Sequence, residues 1–183
     1  MTSHILQLPT GKQDFKTIVK QNYYFVDKTK YIKSVFQDDS SQVLLITRPR
    51  RFGKTLTMNM FESFLSLNYD DPNDLSEHIE LFKDKEIYKD KEFCEKFMGK
   101  YPVISITFKD VKALNFKDAY EDLGELICDL SDKFLFLKDS PKLTFNDKKA
   151  FAKLNDLDYL QNKRHLNTVK NSLKKFISFL YKH

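Results

Sequence analysis

The sequence has few of the residues that mark linkers, disulfide frameworks or membrane spans. It contains four Gly, five Pro and two Cys in 183 residues, and it has no Trp. Few Gly and Pro argue against flexible linkers, and two distant Cys without a C-x-x-C motif argue against a disulfide or metal framework. No apolar run approaches the roughly 20 residues of a membrane-spanning helix, and the first residues do not resemble a signal peptide. We expect a cytoplasmic protein in which Cys94 and Cys128 are buried free thiols.

The residues that are present favour a folded domain with a mixed-charge surface. Hydrophobic residues make up 41% and aromatic residues 14% of the chain, which is enough for a sizeable core. The net charge of +5 permits an acidic partner such as a nucleotide or nucleic acid, although the charges are mixed along most of the chain and also suit a solvated surface. Lys supplies nearly all of the positive charge, and three of the four Arg fall within residues 48–51.

This Arg cluster lies between an apolar run and a helical pattern. Residues 43–46 (Val-Leu-Leu-Ile) read as a strand buried on both faces. From Leu56 onward, apolar residues recur at helical spacing through Met60 and Phe64 to Leu67. Between them lie residues 48–55 (Arg-Pro-Arg-Arg-Phe-Gly-Lys-Thr), the Arg-rich loop. A strand, a glycine-containing turn and a helix in this order indicate a phosphate-binding loop.

The chemistry of phosphate binding assigns a role to each end of this loop. Gly53 can adopt a positive φ, Lys54 can reach the terminal phosphates of ATP, and the Thr55 hydroxyl can bind Mg²⁺. Arg48 stands where the usual GxxxxGK[ST] motif has its first Gly. The side chains of Arg50 and Arg51 could add hydrogen bonds to phosphate oxygens, or they could point outward and contact nucleic acid. Both alternatives stay open. The predicted nucleotide-binding residues are Pro49, Arg50, Arg51, Phe52, Gly53, Lys54 and Thr55, with Thr55 at the metal.

The acidic half of an ATPase site has no good counterpart in the sequence. Hydrolysis needs a carboxylate that positions Mg²⁺, normally at the end of an apolar strand. Residues 103–108 (Val-Ile-Ser-Ile-Thr-Phe) predict a second strand, but Lys109 and Asp110 follow it instead of an acidic pair. Asp110 suits a turn or cap better than a Mg²⁺ site. We therefore expect nucleotide binding with impaired hydrolysis and assign no catalytic residue.

Capping signals place several of the remaining helices. Residues 14–20 suit a short helix, Asp27 suits the N-cap of the next helix, and Asn115 suits the N-cap of a long one. Thr144 with Asp147 matches a capping box. A final helix is predicted from residue 166 to residue 182.

Four segments in order resemble one known family. Residues 8–15, 24–32, 47–55 and 101–104 resemble the predicted AAA-ATPase-like family of bacterial proteins, which carries an RPRRFGK[ST] loop, so Arg48 follows its pattern. The family is similar to the STAND and origin-recognition branch of P-loop ATPases. The resemblance implies that Lys54 and Thr55 contact the β/γ-phosphates and Mg²⁺. It also implies that residues 14–30 lie near the adenine.

The resemblance implies a fold as well. The implied fold belongs to the α/β class and is a P-loop NTPase-like three-layer α/β/α fold with sheet order 5-1-4-3-2. Here the fold would be incomplete and helix-rich, with two or three strands. Residues 1–40 would be a lead-in region and residues 41–183 a partial core that ends before the acidic (Walker B) strand. Such a sheet has unpaired edges, so we expect a fragment of a longer protein or another chain that completes the sheet. The alternatives are a non-enzymatic module that binds nucleic acid or protein, and an inactive gene remnant.

Overall fold

The structure of the chain, a computed structural model, describes residues 7–37, 43–109 and 111–183. Over these residues the chain is helical, and it divides into two compact units, unit 1 (Met1–Val103) and unit 2 (Ile104–His183). Short 3₁₀ segments lie at Glu86–Lys89, Leu135–Lys138 and Lys163–His165. The α-helices are α1 (Phe15–Lys20), α2 (Lys30–Gln37), α3 (Lys54–Leu65), α4 (Ser76–Phe82), α5 (Lys91–Phe97), α6 (Phe116–Asp132), α7 (Phe145–Leu154), α8 (Leu157–Gln161), α9 (Leu166–Lys170) and α10 (Ser172–Lys182).

The predicted three-layer α/β/α fold is wrong for this structure. The described part of the chain contains no strand and no sheet, and residues 43–49 and 103–108 have no regular secondary structure. A parallel bridge between Ser66 and Tyr101 is isolated. A strand is stable only when its backbone groups pair with a neighbour and its faces are covered. Residues 43–46 meet neither condition, since Val43 and Leu45 are 84% and 82% exposed.

Unit 1 is organised around an aromatic core. Phe15 of α1 stacks on Phe82 of α4 with 5.2 Å between ring centroids, and Phe64 of α3 meets Phe82 edge-on at 5.2 Å. Such pairs contribute beyond their buried area. Asp14, which the sequence placed within the first helix, is the N-cap of α1, because its carboxylate accepts the Thr17 N–H at 2.7 Å. The buried members of this core are Phe15, Ile32, Met60, Phe64, Leu81, Phe82, Ile87, Phe93, Cys94 and Met98.

A polar link ties the segment before α2 to the 3₁₀ segment at Glu86–Lys89. The Asp27 carboxylate accepts the N–H groups of Thr29 and Glu86, both at 2.8 Å. The buried Thr29 hydroxyl donates to Asp27 at 2.7 Å and accepts the Ile87 N–H at 3.1 Å. Burial opposes ionisation of Asp27, but these hydrogen bonds hold its pKa below the usual value. Asp27 is therefore a cross-link between segments rather than the helix cap that the sequence predicted.

The α-helices of unit 2 are α6 to α10, and side-chain caps start three of them. The Asn115 side chain accepts the Asp118 N–H at 3.0 Å, and Thr144 with Asp147 forms the predicted capping box. Asp156 caps α8. Instead of the single predicted final helix, the chain forms α9 and α10, with a break at Asn171. The core of unit 2 includes Tyr120, Ile127, Leu130, Phe134, Leu137, Phe151, Leu154, Leu160, Phe176 and Phe179.

Each unit contains one free cysteine. Cys94 in unit 1 is buried and its thiol donates to the Ile87 carbonyl at 3.5 Å, whereas Cys128 in unit 2 is half-buried. Burial raises the pKa of both thiols. The prediction of free thiols is confirmed, and full burial holds for Cys94. Within the residues that the structure describes, no helix combines the length and the apolar character needed to cross a membrane.

Candidate functional site

The Arg-rich loop ends in a left-handed glycine at the start of α3. Gly53 has φ 72° and ψ 23°, is the N-cap of the helix, and offers no side chain to cap it. The Thr57 N–H bonds to the Gly53 carbonyl at 2.8 Å, which closes the first turn. The N–H groups at the beginning of a helix lack intrahelical acceptors and carry a partial positive charge. This end of α3 therefore suits an anion.

A second left-handed residue lies two positions earlier in the loop. Arg51 has φ 69°, an uncommon value for a residue that has a side chain. Mixed right- and left-handed conformations at successive residues turn their N–H groups toward one side and form anion-binding concavities. Strained backbone of this kind clusters at ligand sites. The dihedral angles of Arg51 and Gly53 thus agree with a phosphate-binding function.

The Lys54 side chain folds back over the loop that precedes it. Its ammonium donates to the Arg48 carbonyl and, at 3.2 Å, to the Pro49 carbonyl. Both acceptors are neutral backbone carbonyls, and the Lys54 side chain is exposed to solvent. Charge-assisted hydrogen bonds to phosphate are stronger than bonds to carbonyls. A phosphate oxygen is therefore a stronger acceptor for this ammonium than its present partners.

A cavity of about 380 Å³ lies beside the loop. Arg51, Phe52 and Gly53 line one part of it, and residues 24–26 line another. Its volume falls in the range of small-molecule sites, which are about 300–1,000 Å³. Phe52 and Tyr24 are 63% and 50% exposed, so two aromatic rings are available to a planar ligand. The cavity thus joins apolar walls to the N-terminal end of α3.

The structure brings some of the predicted residues together and separates others. Arg51, Phe52 and Gly53 share the cavity, and Lys54 contacts the loop carbonyls. The remaining predicted residues Pro49, Arg50 and Thr55 are exposed. No group of His, Cys, Asp or Glu among the described residues could hold a metal ion. Asp110 lies outside the described residues.

Some cavity residues were missed from the sequence. Residues 23–26 have the composition of a short β-prone run, and the resemblance alone placed the wider segment 14–30 near the adenine. In the structure Tyr24, Phe25 and Val26 lie on the cavity, together with Met60 of α3. The available signal was the aromatic pair Tyr24-Phe25 directly before the Asp27–Thr29 link. Helical spacing assigned Met60 to the core, where it is 2% exposed.

Comparison with known proteins gives a family match over nearly the whole chain. A family model described as Predicted AAA-ATPase matches residues 9–183. The match includes the Arg-rich loop, the residues that line the cavity and all of unit 2. No curated protein and no solved structure gives a match.

Proposed function

The chain belongs to the predicted AAA-ATPase family, and we propose that its Arg-rich loop binds the phosphates of ATP together with Mg²⁺. The observation that carries the proposal is the left-handed Gly53 at the uncapped N-terminus of α3, with Lys54 directly after it. A helix N-terminus, a nearby ammonium and a glycine backbone are the components that phosphate binding requires.

Each residue of the loop has a distinct role in this proposal. Lys54 leaves the carbonyls of Arg48 and Pro49 to bind the terminal phosphates, and the exposed Thr55 hydroxyl binds Mg²⁺. Arg51, at the rim of the cavity, neutralises phosphate charge. Pro49 and Arg50 shape the loop and add to the positive potential around it.

The nucleoside is proposed to occupy the cavity beside the loop. Its aromatic and aliphatic walls at Phe52, Tyr24 and Val26 can cover the faces of a purine. The Asp27–Thr29 link holds residues 24–26 in place, because it fixes the end of that segment to the 3₁₀ segment at Glu86–Lys89. The family relationship supports a nucleotide as the ligand.

Hydrolysis by residues 1–183 is expected to be slow relative to binding. The sequence contains no apolar run closed by the acidic pair that positions Mg²⁺ and the attacking water in related ATPases. The proposed activity of these residues is therefore nucleotide binding, and an acidic residue supplied from elsewhere would be required for efficient turnover.

Titration of a fluorescent ATP analogue, with and without Mg²⁺, tests the proposal. We expect saturable binding by the unmodified chain and at least about tenfold weaker binding by Lys54→Ala, since a charge-assisted bond is lost. Lys83→Ala removes an exposed cation at the end of α4 and serves as the matched control. Thr55→Val should weaken binding only when Mg²⁺ is present.

Two results would contradict this proposal. One is equal affinity of the unmodified chain and Lys54→Ala for the analogue. The other is a salt-sensitive affinity for DNA or RNA that falls in an Arg50→Ala/Arg51→Ala variant while ATP has no effect. The second result would instead support the nucleic-acid-binding alternative.

A further inference from the structure

The net positive charge of the protein lies in its last 25 residues. Residues 159–183 contain five Lys, one Arg and no acidic residue. The other 158 residues carry 25 basic and 26 acidic residues, a net charge of −1, so this segment accounts for the whole net charge of +5. Basic amphipathic helices of this kind bind acidic surfaces that also offer apolar contacts.

The helix α10 has an apolar face that the chain leaves exposed. Its inner face packs into the core of unit 2 through Phe176 and Phe179, which are 0% and 3% exposed. On the outer face, Leu173, Ile177 and Tyr181 are 41%, 61% and 92% exposed. These three residues follow each other at intervals of four, so they form one stripe along the helix. We call it the α10 stripe.

Unpaired cations border the α10 stripe. Lys174 is exposed, and no ion pair among the described residues uses it. Lys170, at the end of α9, is also exposed and unpaired within the described chain. Lys182 differs, since its ammonium pairs with Asp147 at 2.7 Å. The stripe therefore combines about two turns of apolar surface with free positive charge.

A cleft of about 280 Å³ in the same unit, which we call the α6 cleft, is complementary to the α10 stripe, because it has apolar walls and an acidic rim. Its apolar walls include Ile106, Val111 and Leu126, all half-buried. Its acidic rim is Asp122, Glu125 and Asp129, which lie on one face of α6 at spacings of three and four. None of these carboxylates takes part in an ion pair within the described residues. Lys133 lies at the end of the cleft, one turn beyond Asp129.

We propose that the α10 stripe of one molecule docks into the α6 cleft of a second copy of this chain. Leu173 and Ile177 would contact the apolar walls, while Lys170 and Lys174 would face the acidic rim. The two surfaces differ from each other, so the contact is head-to-tail and can be repeated from molecule to molecule. Stable interfaces bury about 1,200–2,000 Å², and one helix face buries less, so the association is weak. It also depends on salt, because salt screens the attraction between the exposed charges.

Sedimentation velocity of the 183-residue chain tests this proposal over a range of protein concentrations. We expect concentration-dependent association at low ionic strength, which disappears near 1 M salt, where the Debye length falls to about 3 Å. Ile177→Asp should weaken association at least about tenfold because it places a charge in the centre of the stripe. Glu125→Lys should also weaken association, because it reverses a charge in the acidic rim of the cleft.

Mixing the two variants gives the decisive result. Ile177→Asp has an intact cleft and Glu125→Lys has an intact stripe, so the mixture should form a one-to-one dimer that grows no further. Phe145→Asp is the matched control, since Phe145 is 80% exposed in the same unit but belongs to neither surface, and it should associate like the unmodified chain. Helical circular dichroism and thermal melting verify that all three variants fold.

The proposal is overturned by a chain that stays monomeric at several hundred micromolar and low salt. It is also overturned if the two variants fail to associate when mixed, or if Phe145→Asp weakens association as strongly as Ile177→Asp. Binding of the unmodified chain to anionic vesicles, lost in Ile177→Asp without any self-association, would assign the stripe to a lipid surface instead.

Discussion

Two left-handed glycines of unit 1 have nearly the same backbone conformation and opposite surroundings. Gly53 has φ 72° and Gly99 has φ 66°. The Gly99 N–H donates to the Phe64 carbonyl at 2.9 Å. A Cβ at Gly99 would lie 2.5 Å from Leu75 Cδ2 and 3.3 Å from the His78 ring, whereas a Cβ at Gly53 would meet no described atom within 4 Å.

The packing around Gly99 explains why a glycine lies there. The packing around Gly53 does not explain the glycine at that position. At Gly99 the backbone angle disfavours a side chain and a Cβ would force the Leu75 side chain to move, so a substitution should act on folding. At Gly53 only the backbone angle is restrictive, and the open space adjoins the helix N-terminus where a phosphate is proposed to bind. The four predictions below test this separation, beginning with the largest expected effect.

Gly99→Ala should be the most destabilising of these changes. A left-handed conformation costs a residue with a Cβ about 1–2 kcal/mol, and the contact with Leu75 adds an overpacking cost of about 1–3 kcal/mol. We expect the free energy of unfolding to fall by about 2–5 kcal/mol in urea denaturation. Gly124→Ala is the control, because Gly124 lies inside α6 and an added Cβ would make ordinary contacts of 3.5 Å with α8. A loss at Gly99 no larger than that at Gly124 would contradict the packing argument.

Thr29→Val should destabilise the wall of the cavity that faces Gly53. The buried hydroxyl accepts the Ile87 N–H and donates to Asp27, so a methyl group in its place leaves the Ile87 N–H without this acceptor and removes one of the hydrogen bonds to Asp27. The expected loss is about 1–3 kcal/mol in the free energy of unfolding. Thr29→Ser keeps the hydroxyl and should retain most of the stability. If Ser and Val have equal effects, the hydrogen bonds are not the cause.

Gly53→Ala should affect stability less than Gly99→Ala and ligand binding more. With open space around it, the variant bears only the backbone cost of about 1–2 kcal/mol. The changed loop should weaken binding of the fluorescent ATP analogue at least about tenfold, because the N–H groups at the start of α3 lose their alignment. Unaltered affinity in Gly53→Ala, together with a destabilisation as large as that at Gly99, would remove the distinction between the two glycines.

The smallest effect is expected from protonation of His78, which lies against Gly99. Nε2 of His78 is 2.9 Å from the Ser66 carbonyl, and Nδ1 is buried without a partner in the described chain. Burial lowers the pKa of His78. The unfolded state therefore binds the proton first as the pH falls, so stability decreases below about pH 6.5, by at most about 1.4 kcal/mol per pH unit.

Urea midpoints measured from pH 7.5 to pH 5.5 test this effect against a His78→Gln variant. The unmodified chain should lose stability over this range and the variant should not. Glu77 does not interfere, because hydrogen bonds from Lys16 and Lys20 lower its pKa to about 2. Parallel pH profiles for the two proteins would show that His78 is not the group that titrates.

Local signals predicted the helices well because each depends on residues that are close in sequence. The N-cap at Asn115 and the capping box of Thr144 with Asp147 were confirmed, and each links residues only three apart. The helical stripe of Leu56, Met60 and Phe64 after the Arg-rich loop was also confirmed as α3, although the helix ends at Leu65, before Leu67.

The predicted strands failed because a strand depends on partners that are distant in sequence. An apolar run such as residues 43–46 has the composition of a buried strand, but it forms one only when another segment supplies hydrogen bonds on its edge. For the same reason, the sequence pattern alone did not place Tyr24 and Val26 on the cavity with Phe52. The binding roles of Gly53, Lys54 and Thr55 remain predictions for the titration experiments to decide.

The presence of one free thiol in each unit gives the protein a built-in pair of chemical reporters. Cys94 is buried in unit 1, so a thiol reagent reaches it only when that unit opens, whereas the half-buried Cys128 of unit 2 can also react in the folded state. Mass spectrometry of the two cysteine-containing peptides over time would yield the opening rate around Cys94, with labelling of Cys128 as an internal comparison in the same sample. Addition of a nucleotide that binds near Gly53 should slow labelling of Cys94 and leave the rate at Cys128 unchanged.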